Sequence, residues 1–297
     1  GWHPPALQRD TTRRDKAKVR WRKPSPPRTS SRQKNRFHYP RHMPRPPVRT
    51  PTPLRARRPS QPTFGVARVL SKRGVCSRSQ AEKAAREGRV KVDGKIVRDP
   101  EFRITGSERI ELDGAGAVAA APVYLVMNKP RGVVVSASDD RGRDTVYGLL
   151  EGAGLPWVGP VGRLDKASEG LLLLSNDTVW AAGITEPATH VPKTYHVQVA
   201  GQPDESTIAA MLGGVIDEGE PLRAGAAALL RQGEKTAWLE VTLDEGRNRH
   251  IRRLMAALGF EVQRLVRVAI GDLPLGELAK GQWRHLTEAE VSGLRRR

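Results

Sequence analysis

Cysteine, aromatic residues and long apolar runs are all scarce in this chain of 297 residues. The single cysteine, Cys76, permits no internal disulfide and excludes every multi-cysteine zinc or iron–sulfur site. Seven histidines show no H-E-x-x-H or comparable spacing, so only carboxylate-held Mg²⁺ stays open as a metal option. One cysteine fits a reducing compartment. The longest near-apolar stretch, Gly116 to Met127, spans about twelve residues, where a bilayer span needs roughly 20. No membrane partner is expected. A phosphate-cradling Gly-rich loop is also missing.

Acidic residues are scarce at one end. Residues 1–60 hold 18 basic residues against Asp10 and Asp15, a surplus of 16 in a chain whose net charge is +19. Residues 1–62 also contain 13 prolines and show no period of 2 or 3.6. Such a segment buries too little apolar surface to offset its ordering entropy, so a disordered basic arm is expected over 1–62. Three readings of the arm stand: a polyanion-binding tail with nucleic acid as partner, a solubilising tail, and an Arg-rich transit peptide, which the prolines disfavour. The remaining 235 or so residues are nearly neutral and can build one large domain or two smaller ones.

The pattern changes at residue 64. Val66, Val69 and Leu70 fall at i, i+3 and i+4, and Gly74 ends that short helix. Ser77 and Gln80 form a capping box for a second helix, with Ala81, Ala84 and Ala85 on its tight face. Residues 89–97 predict a β-hairpin around Asp93-Gly94. Lys72, Arg73, Arg78, Lys83, Arg86, Arg89 and Lys91 crowd this unit, which suggests a nucleic-acid reader over 64–113. Residues 68–79 and 87–94 resemble the ribosomal-protein-S4-like RNA-binding module. That resemblance implies that Lys72, Arg73, Arg78 and Arg89 contact structured RNA. Cys76 reads as a packed, inert thiol. The small residues of 114–121 predict a linker.

From 122 to 297 short strands outnumber helices without regular βαβ alternation. An α+β domain with a mixed, mainly antiparallel sheet and flanking helices is expected. Strands are predicted at 123–127, 133–135, 193–199, 237–243 and 261–270, and helices at 178–184, 204–212 and 249–258. Three segments stand out. The first is a tight polar loop, Gly162-Arg163-Leu164-Asp165-Lys166-Ala167-Ser168, which feeds the apolar run Leu171 to Leu174. The second is Lys193-Thr194-Tyr195. The third runs from Gly246 to Met255; its helical wheel puts Ile251, Leu254 and Met255 on one stripe and Arg249, Arg252 and Arg253 on an outward row. Singly, each has an ordinary structural explanation: a turn aspartate, a core-edge tyrosine, a solvated helix face.

Together, and with Asn128-Lys129-Pro130-x-Gly132, these segments resemble the RsuA/RluB-type pseudouridine synthases, which often carry an S4-like module ahead of the catalytic domain. The resemblance covers residues 64–290. It implies isomerisation of uridine to pseudouridine in ribosomal RNA or a ribosomal-subunit precursor, without cofactor, by a monomer in a bacterial-type cytoplasm, with organellar targeting left open. The large subunit is slightly favoured by the basic arm. Asp165 matches the catalytic aspartate, as nucleophile or as base; Arg252 matches the arginine that keeps it charged; Tyr195 matches the ring that stacks on an everted base. Arg163, Lys129, Arg247 and Arg249 are candidate phosphate contacts. His250 stands where many relatives have glutamine, and Asp177-Thr178 replaces a common Asp-Gly. A non-catalytic ribosome-assembly factor that keeps the fold is the alternative.

The charge asymmetry yields a direct test. Removing residues 1–62 should weaken RNA binding and flatten its dependence on salt in filter-binding titrations, because fewer counterions are released. An unchanged slope would identify a merely solubilising tail.

Overall fold

The structure, a computed structural model, describes residues 62–137 and 142–295. The disordered-arm expectation lies outside the described residues.

The N-terminal module contains strands β1 (Phe64–Gly65), β2 (Val90–Val92), β3 (Lys95–Ile96), β4 (Arg103–Ile104), β5 (Ile110–Leu112) and β6 (Ala115–Gly116), with helices α1 (Val66–Lys72) and α2 (Arg78–Arg86). The capping box forms as the sequence predicts: Ser77 Oγ accepts from Gln80 N at 3.1 Å, and Gln80 Oε1 accepts from Ser77 N at 2.9 Å. Val66, Leu70, Ala81, Ala85 and Val90 are fully enclosed between the helices and the sheet β3-β2-β5-β6. Asp93-Gly94, both at positive φ, turn the first hairpin. A second such pair, Asp113-Gly114, turns β5 into β6. The expected linker therefore starts later than residue 114: its first residues form β6, and Ala117 sits in the module core.

The second domain is built on a nine-stranded sheet. Its strands are β7 (Tyr124–Lys129), β8 (Gly159–Val161), β9 (Glu169–Ser175), β10 (Lys193–Ala200), β13 (Ala226–Gln232), β14 (Thr236–Leu243), β15 (Val262–Ile270), β16 (Leu273–Pro274) and β17 (Trp283–His285). A separate hairpin pairs β11 (Val215–Asp217) with β12 (Glu220–Leu222). Helices α3 (Thr178–Thr185), α4 (Glu205–Gly213), α5 (His250–Ala257) and α6 (Glu288–Arg295) flank the strands. The order is β13-β14-β10-β15-β9-β7-β17, with β16 on β15 and β8 on β9. Every pair is antiparallel except β15–β9. The predicted strand at 133–135 reduces to one bridge, Val134 to Thr145, because Gly132 donates its N–H to Lys166 O and draws that segment toward another loop. None of the helices in the described residues is long and apolar enough to cross a membrane.

Strand alternation divides the interior. Leu171 and Leu173 pack with Trp180, Ile184 and Leu294 under α3 and α6, while Leu172 and Leu174 pack with Leu125 and Met127 on the other face. Helix α5 closes the third cluster with Ile251, Leu254 and Met255 against Val197, Leu239 and Val241. The single parallel junction lies where β9 begins, and Gly170 makes it possible. At φ +100°, a Cβ there would run into the backbone oxygen and nitrogen of Arg267. Replacing Gly170 by alanine should therefore cost about 2–4 kcal/mol in urea unfolding, since strain and collision act together. Gly132, also at positive φ (+95°) but with open space around it, should cost only about 1 kcal/mol when made alanine.

Candidate active site

Strand β9 is buried along its whole length, so the loop 162–168 that enters it starts from a fixed point. Leu164 anchors that loop in the core beside Leu172. The loop is then held by its carbonyl oxygens. Asp165 O accepts from Ser168 N at 2.9 Å and Lys166 O accepts from Gly132 N at 2.8 Å. Ala167 O accepts from Arg252 Nη2 at 3.1 Å, and Ser168 O from Lys129 Nζ at 2.8 Å. Arg267 Nη1 reaches Arg163 O at 3.4 Å. What such a loop presents outward is the half-buried side chain of Asp165.

A cavity of about 440 Å³ opens over it. Asp165, Tyr195, Arg163, Arg247, Arg249 and Arg267 are among its lining residues. Tyr195 enters from β10, half-buried and packed against two of the core clusters. Arg249 brings Nη1 to 4.0 Å from Asp165 Oδ2. It does so from the left-handed backbone conformation (φ 50°) that opens α5.

Arg252 is placed differently from the sequence expectation. It is not in the cavity wall; its guanidinium spans Val262 O (3.0 Å) and Ala167 O (3.1 Å), holding the loop while its charge acts on Asp165 from below. Burial pulls its pKa down, and the Asp165 charge opposes that pull. Lys129 is corrected outright. Fully enclosed and bonded to Pro130 O and Ser168 O, it is beyond the reach of phosphate. Nor do the α5 arginines form one outward row. Arg253 is committed to Asp217 (2.5 Å) and Glu220 (2.8 Å), which ties α5 to the β11–β12 hairpin. Arg247 pairs with Glu245 at 3.1 Å on the cavity rim, and Arg163 is exposed. His250 points inward, 3% exposed, and burial pushes its pKa down.

Sequence reasoning missed Arg267, Lys193 and Glu169. Arg267 is 4% exposed on β15, and Lys193 donates to Ile184 O at 3.3 Å on the same wall. Glu169, buried at the foot of β9, takes Arg264 Nε and Lys280 Nζ at 2.7 Å each; the Arg264 bonds come first in holding its pKa down at about 2. The signal was available for Arg267: in Val262 to Ile270 it is a charged residue at an inward position of an alternating strand.

In the N-terminal module the basic residues are largely engaged with the protein. Arg73 donates to Ala117 O and Gly106 O, Arg78 pairs with Glu82 and Glu101, and Arg89 pairs with Asp113 and Glu87. Lys72 is exposed and lies over the Phe64 ring. Cys76 is half-buried, and burial pushes its thiol pKa up, away from nucleophilic use.

A half-buried carboxylate that shares a cavity with an aromatic ring, rimmed by arginines and preceded by a basic module, fits an enzyme that acts on RNA. Residues 123–257 match the RNA pseudouridylate synthase family, and residues 65–110 the S4 domain. The chain is 38% identical over 231 residues to the ribosomal large subunit pseudouridine synthase B of Bacillus subtilis, covering 77% of this chain and 94% of that protein. It is 37% identical to an uncharacterized RNA pseudouridine synthase of Aquifex aeolicus, over 77% of this chain and 92% of the relative. A crystal structure of a pseudouridylate synthase superposes with a TM-score of 0.56 at 32% identity, covering 78% of this chain and 99% of the other. The chain belongs to the RNA pseudouridine synthase family, in the branch with an S4 domain.

The enclosed lysine gives a pH signature. Burial lowers the Lys129 pKa to about 8, whereas an unfolded lysine titrates near ~10.4. Between those values the unfolded chain binds a proton that the folded protein does not, so this group makes stability rise with pH across the window and contributes no pH dependence below it. Relative to Lys129→Met, the wild type should gain up to about 1.4 kcal/mol per pH unit between pH 8 and 10 in urea unfolding. Parallel pH profiles would show that the amine titrates as if exposed.

Proposed function

We propose that this protein isomerises specific uridines in ribosomal RNA, with the large subunit preferred, and does so as a monomer in a bacterial-type cytoplasm. The observation that carries the reading is the meeting of Asp165 and Tyr195 in one cavity with arginines on its rim. The Bacillus relative, similar over nearly its whole length, acts on large-subunit RNA by its name, which supports that choice of subunit.

The reaction breaks the C1′–N1 bond of uridine, turns the base and joins C5 to C1′. The cavity volume lies in the range of small-molecule sites, so an everted nucleotide can enter it. Tyr195 offers a stacking platform, worth roughly 1–3 kcal/mol per base, that offsets part of the unstacking cost. Asp165 reaches the sugar either as nucleophile at C1′ or as base at C2′. Arg249 stabilises its carboxylate, and Arg252 fixes the loop that carries it. Exposed Arg163 and Arg249, with Arg247, suit backbone phosphates, which position RNA without reading its sequence. Lys72 extends that track on the S4 module.

Asp165→Asn should reduce pseudouridine formation by at least about 1,000-fold while leaving RNA affinity within about threefold of the wild type. Pseudouridine mapping of rRNA from cells with and without the gene should show one or a few large-subunit positions lost. An active Asn variant, or an unchanged map, would favour a ribosome-assembly factor that keeps the fold.

A further inference from the structure

Arg267 is a buried cation in the cavity wall to which the assignments above give no role. It sits on β15 directly across from Tyr195 of β10, so both side chains leave the sheet on one face, with Cβ atoms about 4.5–5.5 Å apart. Its Nε donates to Leu171 O at 2.7 Å and its Nη1 reaches Arg163 O at 3.4 Å. Both bonds fix the guanidinium against the strand and loop that carry Asp165. Nη2 is buried and has no hydrogen-bond partner among the described residues. An uncommitted donor on a desolvated cation is costly to folding alone, and it becomes intelligible if an acceptor arrives with substrate.

The surroundings define what that acceptor is. Lys129 and Lys193 both feel the Arg267 charge, so three desolvated cations converge on this wall. The anionic residues that line the cavity with it are Asp165, Asp244 and Glu245. Phosphates are met at the exposed rim by Arg163 and Arg249, whereas Arg267 lies deep beside the stacking ring. A group placed there meets the edge of a stacked base.

We propose that Arg267 binds a carbonyl oxygen of the uracil ring and takes up the negative charge that develops there as the base departs. This rests on the assignment of Asp165 and Tyr195 to the reacting site. When C1′–N1 breaks, its electron pair leaves with the uracil and spreads over N1, O2 and O4. C1′ is met by the Asp165 carboxylate, or C2′ gives up a proton to it that is later returned. C5 then bonds to C1′, and the proton released from C5 ends on N1. The product is an isomer, and nothing is oxidised or reduced. A fixed donor aimed at charge that grows in the transition state acts where electrostatic catalysis is strongest.

The test compares leaving groups. Full-length wild type, Arg267→Gln and Arg267→Lys are assayed in single turnovers on an rRNA hairpin carrying either uridine or 5-fluorouridine at the target position. The fluorinated base keeps its fluorine at C5, has no C5 proton to lose and takes up water at C6 with a proton on N1, and this product is followed by ¹⁹F NMR. Fluorine makes the departing base less basic, so it needs less help. Arg267→Gln should slow uridine conversion about 100-fold and 5-fluorouridine conversion about tenfold or less, with RNA affinity unchanged. Arg267→Lys, which keeps the charge, should fall between, and it carries the comparison if the Gln variant unfolds. Equal losses on both substrates would overturn the proposal and leave Arg267 as a structural prop. A wild type that converts neither substrate, while still binding the hairpin, would instead overturn the reading of the site itself.

Discussion

Catalytic precision in this protein depends on carbonyl oxygens in the loop that carries Asp165 being bound by buried cations. Lys129, Arg252 and Arg267 come from three different strands and helices, and each gives at least one donor to the backbone around that one residue. A short loop with two flanking glycines has many conformations open to it. Binding its carbonyls removes that freedom before any RNA arrives, so the carboxylate is placed during folding. The same cations set up a positive field around the Asp165 carboxylate. Structure and electrostatics are therefore one arrangement, and removing a charge disturbs both.

Helix α5 shows how finely such work is divided. Ile251, Leu254 and Met255 lock one side of it into the core, which fixes the direction of every arginine it carries. Arg249 faces the carboxylate, Arg252 reaches beneath the loop, and Arg253 grips the β11–β12 hairpin. Neighbouring guanidinium groups thus serve a reacting residue, a loop and a tertiary contact, with only the helical rotation between them. Beyond them, buried Glu169 takes the more exposed Arg264 and Lys280 and holds the foot of β9.

Much of this was legible in the sequence, and the exceptions have physical causes. The capping box at Ser77, the Asp93-Gly94 turn and the helices near 178, 205 and 250 are local devices, so neighbouring residues suffice to specify them. That Asp165 and Tyr195 share one cavity was foreshadowed because their motifs are compact. The strand expected at 133–135 failed because Gly132 bonds to a distant loop, and edge strands such as β13 and β17 lack strong patterning. Charged residues were hardest to place. A lysine beside Pro130 and an arginine on a helix look alike whether they meet solvent, phosphate or a buried carbonyl, since only the tertiary partner decides. That is why Lys129 was misplaced among the phosphate contacts, the backbone bonds of Arg252 were unforeseen and Arg267 went unnoticed.

The seam between the module and the catalytic domain is tied by main-chain bonds. Trp157 N donates to Gly74 O and Ala120 N to Arg73 O, and the Asn176 side chain adds bonds to Ala121 O and from Val123 N. Side-chain packing can slide, but backbone bonds at several points behave like rivets. The reach from Lys72 to Asp165 becomes a property of the protein, set before encounter. The distance between a basic patch and a carboxylate is in this way written into the fold, as fixed as the spacing of two strands in one sheet.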